Sequence, residues 1–190
     1  MPAGITSCGA CLTAPPPFAS TLTAVRYGYP WDRLITAFKF HAALDLTEAL
    51  VDLLVQAQAA RSSPRPTLLL PVPLSRQRLR ERGYNQAWEL ARRLGGRFDS
   101  AVDADLLLRI KDTPHQLALP PDRRAANVRS AFAVEPRRLR DVRGRHVTVV
   151  DDVMTSSATA SEVARTLLSA GADRVDVWVV ARTPNAVESP

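Results

Sequence analysis

The sequence predicts an α/β protein whose core is a mainly parallel sheet flanked by helices. The segment 147–150 is rich in valine, which is typical of a strand buried on both faces, and Val175–Val180 repeats that pattern. Between these strands, Ala158–Ala170 has the apolar spacing of a helix, and Gly171 is placed to end it. A strand–helix–strand unit has parallel strands and a right-handed crossover, so the loop after the first strand should lie at the ligand edge of the sheet.

Two helices and a buried strand are predicted earlier in the chain. Residues 30–41 predict a short helix, and a second is expected after Asp45, because Asp45 and Glu48 have the spacing of a capping box. Thr67–Val72 predicts a short buried strand with two prolines at its end, which make its exit stiff and irregular. Such an exit leaves backbone amides free to face a ligand.

A loop with alternating arginines is expected after that strand. The arginines are Arg76, Arg78, Arg80 and Arg82. A helix over Gln86–Leu94 follows, with Asn85 as its N-cap and Gly95 at its end. Alternating arginines are often only a solvated surface. This loop, however, leaves the carboxyl end of one strand, so it could converge on a ligand with the loop that follows Asp152.

A long basic connection separates two further strands. Leu106–Arg109 and Val128–Val134 are predicted to pair, and residues 110–127 between them are typical of a lid or binding loop. The polar groups that this loop could lay on a substrate are Thr113, Gln116, Arg123 and Asn127. Residues 135–145 are rich in arginine and predict a solvated surface connection.

The end of the valine-rich strand and the loop after it are the most informative segment for function. Asp151 and Asp152 are expected at the carboxyl end of the strand, where open α/β sheets bind ligands, so both acids could meet a ribose. The stretch from Thr155 to Thr159 offers hydroxyls and backbone N–H groups at the start of a helix, which favours a phosphate dianion. The sequence therefore predicts a sugar-phosphate site.

Two other interpretations account for less of this segment. A hydrophobic strand that ends in Asp-Asp could hold Mg²⁺ in a nucleoside triphosphatase, but the chain lacks the glycine-rich phosphate loop of that class. The polar residues could also be helix caps and turn formers only. Two acids and four hydroxyls in so short a stretch exceed what one cap requires.

Composition indicates the class of partner. The 190-residue chain is 46% hydrophobic, enough for one substantial core, and its net charge of +6 favours anionic partners such as nucleotides, diphosphates or nucleic acid. No apolar run is long enough to cross a membrane, and the start lacks the features of a signal peptide. A cytoplasmic location is therefore expected.

Together these segments resemble the ComF family, which is similar to type I phosphoribosyltransferases of the amidophosphoribosyltransferase kind. The resemblance runs from about Val25 to Ala181. Its motifs are Leu70-Pro71-Val72-Pro73-Leu74, Arg82-Gly83-Tyr84-Asn85-Gln86, Thr113-Pro114-His115-Gln116, Arg123–Val128 ending at Phe132, and Val150-Asp151-Asp152-Val153 with the loop after it. The resemblance implies a remnant of an N-terminal cysteine segment over residues 1–20. A phosphoribosyltransferase-like domain with a small hood would occupy residues 21–190.

The resemblance also implies a site for phosphoribosyl diphosphate (PRPP) and Mg²⁺. The acids on the ribose hydroxyls, and hence the catalytic residues, would be Asp151 and Asp152. The 5-phosphate would be bound by Thr155, Ser156, Ser157, Ala158 and Thr159. The diphosphate would face Pro73, Arg76 and Arg82, and the flexible loop closing over it would carry Thr113, Gln116, Arg123 and Asn127. Mg²⁺ would bridge diphosphate and ribose oxygens. An active member would transfer the pentosyl group and release diphosphate, and the family is linked to DNA uptake in competence.

Two departures from the family pattern bear on function. The family's phosphate loop reads Thr-Thr-Gly-Ala-Thr, whereas Ser157 stands at the glycine position here, which would cost of order 1 kcal/mol if its φ is positive. Family members commonly carry a four-cysteine zinc site, whereas this chain has only Cys8 and Cys11, so the site is incomplete and zinc is not expected. The alternative to a transferase is a non-catalytic module that senses PRPP or assists single-stranded DNA processing with DNA-uptake proteins.

Overall fold

The computed structural model describes residues 9–61, 64–111 and 128–183, and its core is a five-stranded parallel sheet. The strands of this sheet are β1 (Ser20–Arg26), β2 (Leu68–Pro71), β3 (Ala101–Val102), β6 (His146–Met154) and β7 (Arg174–Arg182). Their order is β1-β7-β6-β2-β3, and every neighbouring pair is parallel. Strands β4 (Leu107–Arg109) and β5 (Phe132–Val134) form a separate antiparallel pair, which we call the hood. The predicted α/β class with a mainly parallel sheet is confirmed.

Helices cover both faces of the sheet. They are α1 (Gly9–Thr13), α2 (Trp31–Phe40), α3 (Leu46–Ala59), α4 (Arg76–Arg82), α5 (Gln86–Phe98) and α6 (Ala158–Ser169), with a 3₁₀ helix over Pro136–Asp141. Helices α2, α3 and α5 pack with Val150 on one face, whereas α6 and the hood pack with Val149 on the other. Adjacent residues of β6 therefore belong to different cores, as the alternation of side chains along a strand requires.

Strand β6 is longer than the valine-rich segment predicted. It runs through Asp151 and Asp152 to Met154 and pairs with β7 along that whole length, whereas its pairing with β2 ends at Val150. The backbone N–H of Val72 still donates to the Val150 carbonyl (2.9 Å). Beyond that bond β2 no longer pairs with β6, and a cavity opens beside Asp151.

The arginines after β2 lie on a helix, so the predicted loop is wrong. Ser75 caps α4 by accepting a hydrogen bond from the Arg78 N–H (3.3 Å), and Gly83 ends the helix in the left-handed conformation with φ 80°. Arginine, glutamine, leucine and glutamate are all good helix formers, so local propensity and both caps agree. The alternation of arginines has no structural counterpart.

Helix α5 does not end at Gly95 as predicted, but continues to Phe98, and Asp99 ends it with φ 53°. The predicted N-cap is confirmed, because the Asn85 side chain accepts a hydrogen bond from the Ala87 N–H (3.0 Å). Gly95 instead allows close packing of α5 against β3. A Cβ built there would lie 2.2 Å from the Val102 Cγ2, so the glycine lets β3 approach the helix.

Two other predictions need correction. Helix α3 begins where expected, but Asp45 makes no side-chain capping bond, and Glu48 forms ion pairs with Arg93 and Arg97 of α5 instead (2.8 and 3.2 Å). The capping box is therefore absent, because Glu48 is used between helices. Strand β5 is shorter than predicted, since Ser130 has φ 53° and cannot continue a strand.

Candidate functional site

The candidate site is a crevice between the carboxyl ends of β2 and β6. From β2 the chain passes through α5 to β3, whereas from β6 it passes through α6 to β7 on the opposite side. The two connections leave in opposite directions and cover opposite faces, which is the switch point where parallel α/β sheets bind ligands. A solvent-open cavity lies there, lined by residues that include Val72, Asp151 and Thr155.

The loop from β6 into α6 forms the polar wall of this cavity. Thr155, Ser157 and Thr159 line it, whereas Ser156 is exposed and lies outside the wall. Ser157 is the N-cap of α6, yet its side chain makes no capping bond. Because the first N–H groups of a helix have no acceptor within the helix, the start of α6 favours an anion. The predicted loop and helix start are confirmed, and their role in phosphate binding stays a prediction.

Ser157 has φ 56° and ψ 0°, in the left-handed region. Residues with a Cβ pay about 1–2 kcal/mol for that conformation, and glycine pays almost nothing. The strain expected from a serine at the glycine position is therefore present in this loop.

Asp151 lines the cavity from the β6 side. Its Oδ1 accepts a hydrogen bond from the Asp152 N–H (2.9 Å), in the stretch where β6 has lost its β2 partner. Burial, and then the neighbouring Asp152 carboxylate, raise the pKa of Asp151 to about 8. Water in the open cavity opposes part of this rise, since the carboxyl is only half-buried.

Asp152 points to the opposite face of the sheet and does not line the cavity. It is 3% exposed, and its Oδ1 accepts a hydrogen bond from the Val153 N–H (2.8 Å). Its Oδ2 lies 3.0 Å from the Lys39 Nζ, in an ion pair that lacks hydrogen-bond geometry. The structure therefore brings one of the two predicted acids into the cavity. No motif indicated Lys39, although lysine is rare in this arginine-rich chain.

The residues predicted to face the diphosphate lie after β2 and on α4. Pro73 follows β2, and Arg76 is exposed on the first turn of α4. The Arg82 guanidinium stacks over the Phe40 ring, with its Cζ 4.7 Å from the ring centroid. None of these three side chains lines the cavity. The loop after β2 is held by Asn85, whose Nδ2 donates to the Val72 carbonyl (3.1 Å).

Comparison with known proteins identifies the family. No protein-family model matches the chain. The DNA utilization protein YhgH of Salmonella typhi is 34% identical over 189 residues, which cover 96% of this chain and 82% of the relative. Competence protein F of Haemophilus influenzae is 31% identical over 179 residues, which cover 92% and 78% respectively. The chain belongs to the ComF family. A solved structure, that of TT1426 from Thermus thermophilus, is 19% identical with a TM-score of 0.37, over 75% of this chain and 86% of that one.

Several residues that the ComF family pattern singles out lie outside the described residues. These are Cys8 at the start of the chain and, in the expected flexible loop, Thr113, Gln116, Arg123 and Asn127. Cys11 lies on α1. Across residues 9–61, 64–111 and 128–183, no three His, Cys, Asp or Glu side chains cluster as metal ligands. No helix in that part of the chain has the length and apolar character that a membrane crossing requires.

Proposed function

We propose that this ComF-family protein binds PRPP with Mg²⁺ in the cavity between β2 and β6 and has the chemistry of a phosphoribosyltransferase. The observation that carries the proposal is that Asp151 and the N-terminus of α6 line the same cavity. A ribose phosphate needs hydroxyl acceptors and an anion site in one pocket, and the switch point of the sheet offers groups of both kinds.

The parts of PRPP match three parts of the crevice. The 5-phosphate would lie at the start of α6, where backbone N–H groups and the hydroxyls of Thr155, Ser157 and Thr159 can donate to it. The Asp151 carboxylate would accept from the ribose hydroxyls. The diphosphate would extend toward Val72 and the gap where β2 leaves β6. The net charge of +6 favours the approach of such an anion.

Mg²⁺ would enter with the ligand. Among the residues that the structure describes, the cavity wall offers one carboxylate, Asp151, which we assign to the ribose hydroxyls. This donor set fits a cation that would be carried largely by the ligand and water, as is usual for Mg²⁺. When bound, it would neutralise charge on the departing diphosphate.

In the transfer itself, an acceptor atom would form a bond to ribose C1 while the bond from C1 to the diphosphate oxygen breaks. The electron pair of that bond leaves with the diphosphate. The protein would hold the ribose phosphate at two points, which fixes C1 relative to the acceptor and reduces the entropic cost of the reaction. Arg76 and Arg82 stay predicted contacts of the leaving group.

Isothermal titration with PRPP in the presence and absence of Mg²⁺ tests the binding step. We expect binding that needs Mg²⁺, is competed by ribose 5-phosphate and is lost in Asp151→Asn. Circular dichroism of the variant controls for folding. Undiminished PRPP affinity in folded Asp151→Asn would contradict the site. Release of diphosphate with a panel of acceptors then tests for turnover.

A role in DNA handling is the second candidate, because two relatives are named as a DNA utilization protein and a competence protein. PRPP could then be a regulatory ligand rather than a substrate. Binding of a fluorescent single-stranded oligonucleotide over a salt series tests this role, since phosphate contacts weaken steeply with salt. Asp151→Asn should leave that binding intact if the two functions use different surfaces.

A further inference from the structure

The acid that points away from the cavity, Asp152, is held by a contact between distant parts of the chain. Lys39 lies near the end of α2, and its Nζ is 3.0 Å from the Asp152 Oδ2. The Lys39 side chain is 22% exposed and that of Asp152 is 4% exposed. The carboxylate is thus almost without water, and the ammonium group is its counter-charge.

The turn between α4 and α5 fixes the position of this lysine. The Tyr84 hydroxyl donates to the backbone carbonyl of Phe38, one residue before Lys39. The next residue of the turn, Asn85, donates to the carbonyl of Val72 after β2. One turn therefore holds the end of α2 behind β6 and the start of the loop that borders the cavity. This gives the Arg-Gly-Tyr-Asn-Gln motif a structural role at the crevice.

Lys39 affects the ionisation of the two adjacent acids, Asp151 and Asp152. Lys39 from α2 acts on Asp151, and Asp152 acts on Tyr84 of the turn. Arg82 and Glu89 act on Tyr84, whose pKa is raised mainly by burial. Lys39 is the cation that opposes the raised pKa of Asp151. Without it, two adjacent carboxylates would share a poorly solvated place, and one of them would hold its proton to a higher pH.

We propose that Lys39 is a positioning residue of the PRPP site, which holds the Asp152 carboxylate behind β6 and thereby favours the ionised form of Asp151 toward the ribose. This inference rests on the proposed function. Lys39 does not touch the ligand. It acts through the acids, and its effect should therefore depend on pH.

Titration of the full chain with Mg²⁺ and PRPP between about pH 6 and pH 9 tests this role. The variants are Lys39→Met, which removes the charge, and Lys39→Arg, which keeps it. We expect wild-type affinity to rise with pH as Asp151 loses its proton, and Lys39→Met to move that rise upward by about one pH unit or more. Lys39→Arg should keep the wild-type profile. Comparison at each pH cancels the titration of the ligand itself.

The outcomes separate the two proposals. If the wild type does not bind PRPP, the proposed function fails and this inference fails with it. If the wild type binds PRPP and the affinity of Lys39→Met has the same pH profile, the inference alone is overturned. This holds whether the affinity of the variant equals that of the wild type or is lower by the same factor at every pH. Should Lys39→Met not fold, Lys39→Gln is the second variant, because it can still hydrogen-bond to Asp152 but carries no charge. The same upward displacement is expected for it, and an unmoved profile overturns the inference.

Discussion

Replacing Ser157 by glycine tests whether the strained phosphate loop limits ligand binding. Ser157 has φ 56°, a conformation that costs a residue with a Cβ about 1–2 kcal/mol. Glycine removes that cost, but it also gains about 0.4–1 kcal/mol of conformational freedom in the unfolded chain. The two effects nearly cancel, so we expect Ser157→Gly to change the free energy of unfolding by about 1 kcal/mol or less.

The effect on affinity should be larger than the effect on stability. Ser157 lines the cavity, so its removal takes a Cβ and a hydroxyl out of the wall and lets the backbone approach the phosphate more closely. A gain of about 1 kcal/mol in binding corresponds to roughly a fivefold lower Kd for PRPP with Mg²⁺. Isothermal titration resolves a change of that size.

Two control variants separate the causes. Ser157→Ala keeps the Cβ and the strain but loses the hydroxyl, so weaker binding by this variant would reveal a hydrogen bond from Ser157 to the phosphate. Ser130→Gly relieves a similar strain just before β5, where Ser130 has φ 53°, and should leave the Kd unchanged. Equal or weaker PRPP binding by Ser157→Gly would refute the reasoning, because it would show that the serine compensates for the missing glycine.

Three further predictions concern the acids and α5. Asp151→Asn should abolish PRPP binding without lowering the free energy of unfolding. Asp152→Asn should lower the free energy of unfolding by on the order of 1 kcal/mol, because Lys39 loses its partner, and thermal unfolding measures the difference. The unfolded chain releases the Asp151 proton near about pH 4, whereas the folded state keeps it to about pH 8. The free energy of unfolding should therefore decline as the pH rises from about 4 to about 8. Asp151→Asn should remove this part of the decline in denaturant titrations. Gly95→Ala should destabilise by about 1–3 kcal/mol through overpacking against β3. Gly96→Ala, which meets nothing within 4 Å, should stabilise by about 0.5–1 kcal/mol, and equal effects of the two substitutions would contradict the packing argument.

The sequence predicted those features that depend on neighbouring residues. The unit of β6, α6 and β7 follows from local apolar patterns and one terminal glycine, and the structure has it within a few residues of the predicted bounds. The Asn85 cap is equally local. Side-chain alternation along a strand also separates Asp151 from Asp152, but this could be inferred only if β6 was known to continue past both acids. The strand continues because β7 pairs with it up to Met154.

What the sequence did not predict depends on partners far along the chain. The pair of Lys39 and Asp152 joins residues more than a hundred positions apart, and no local pattern indicates it. Gly95 was predicted to end the helix because glycine is common at helix ends. The structure shows instead that glycine is needed there because Val102 approaches the helix closely. Strand β1 was not predicted, although its threonines and valine are typical of strands, because it is only partly buried at the edge of the sheet.

The strand order also determines when this protein can fold during synthesis. Strands β1 and β2 leave the ribosome early, yet they do not pair with each other, because β6 and β7 lie between them. Until the last quarter of the chain has been made, β1 has no partner in the sheet and β2 has only the two residues of β3. Long-range parallel pairing of this kind is slow and leaves apolar strand edges open to aggregation. We therefore expect a nascent chain that stalls before residue 146 to depend on chaperones, although it already contains most of its helices.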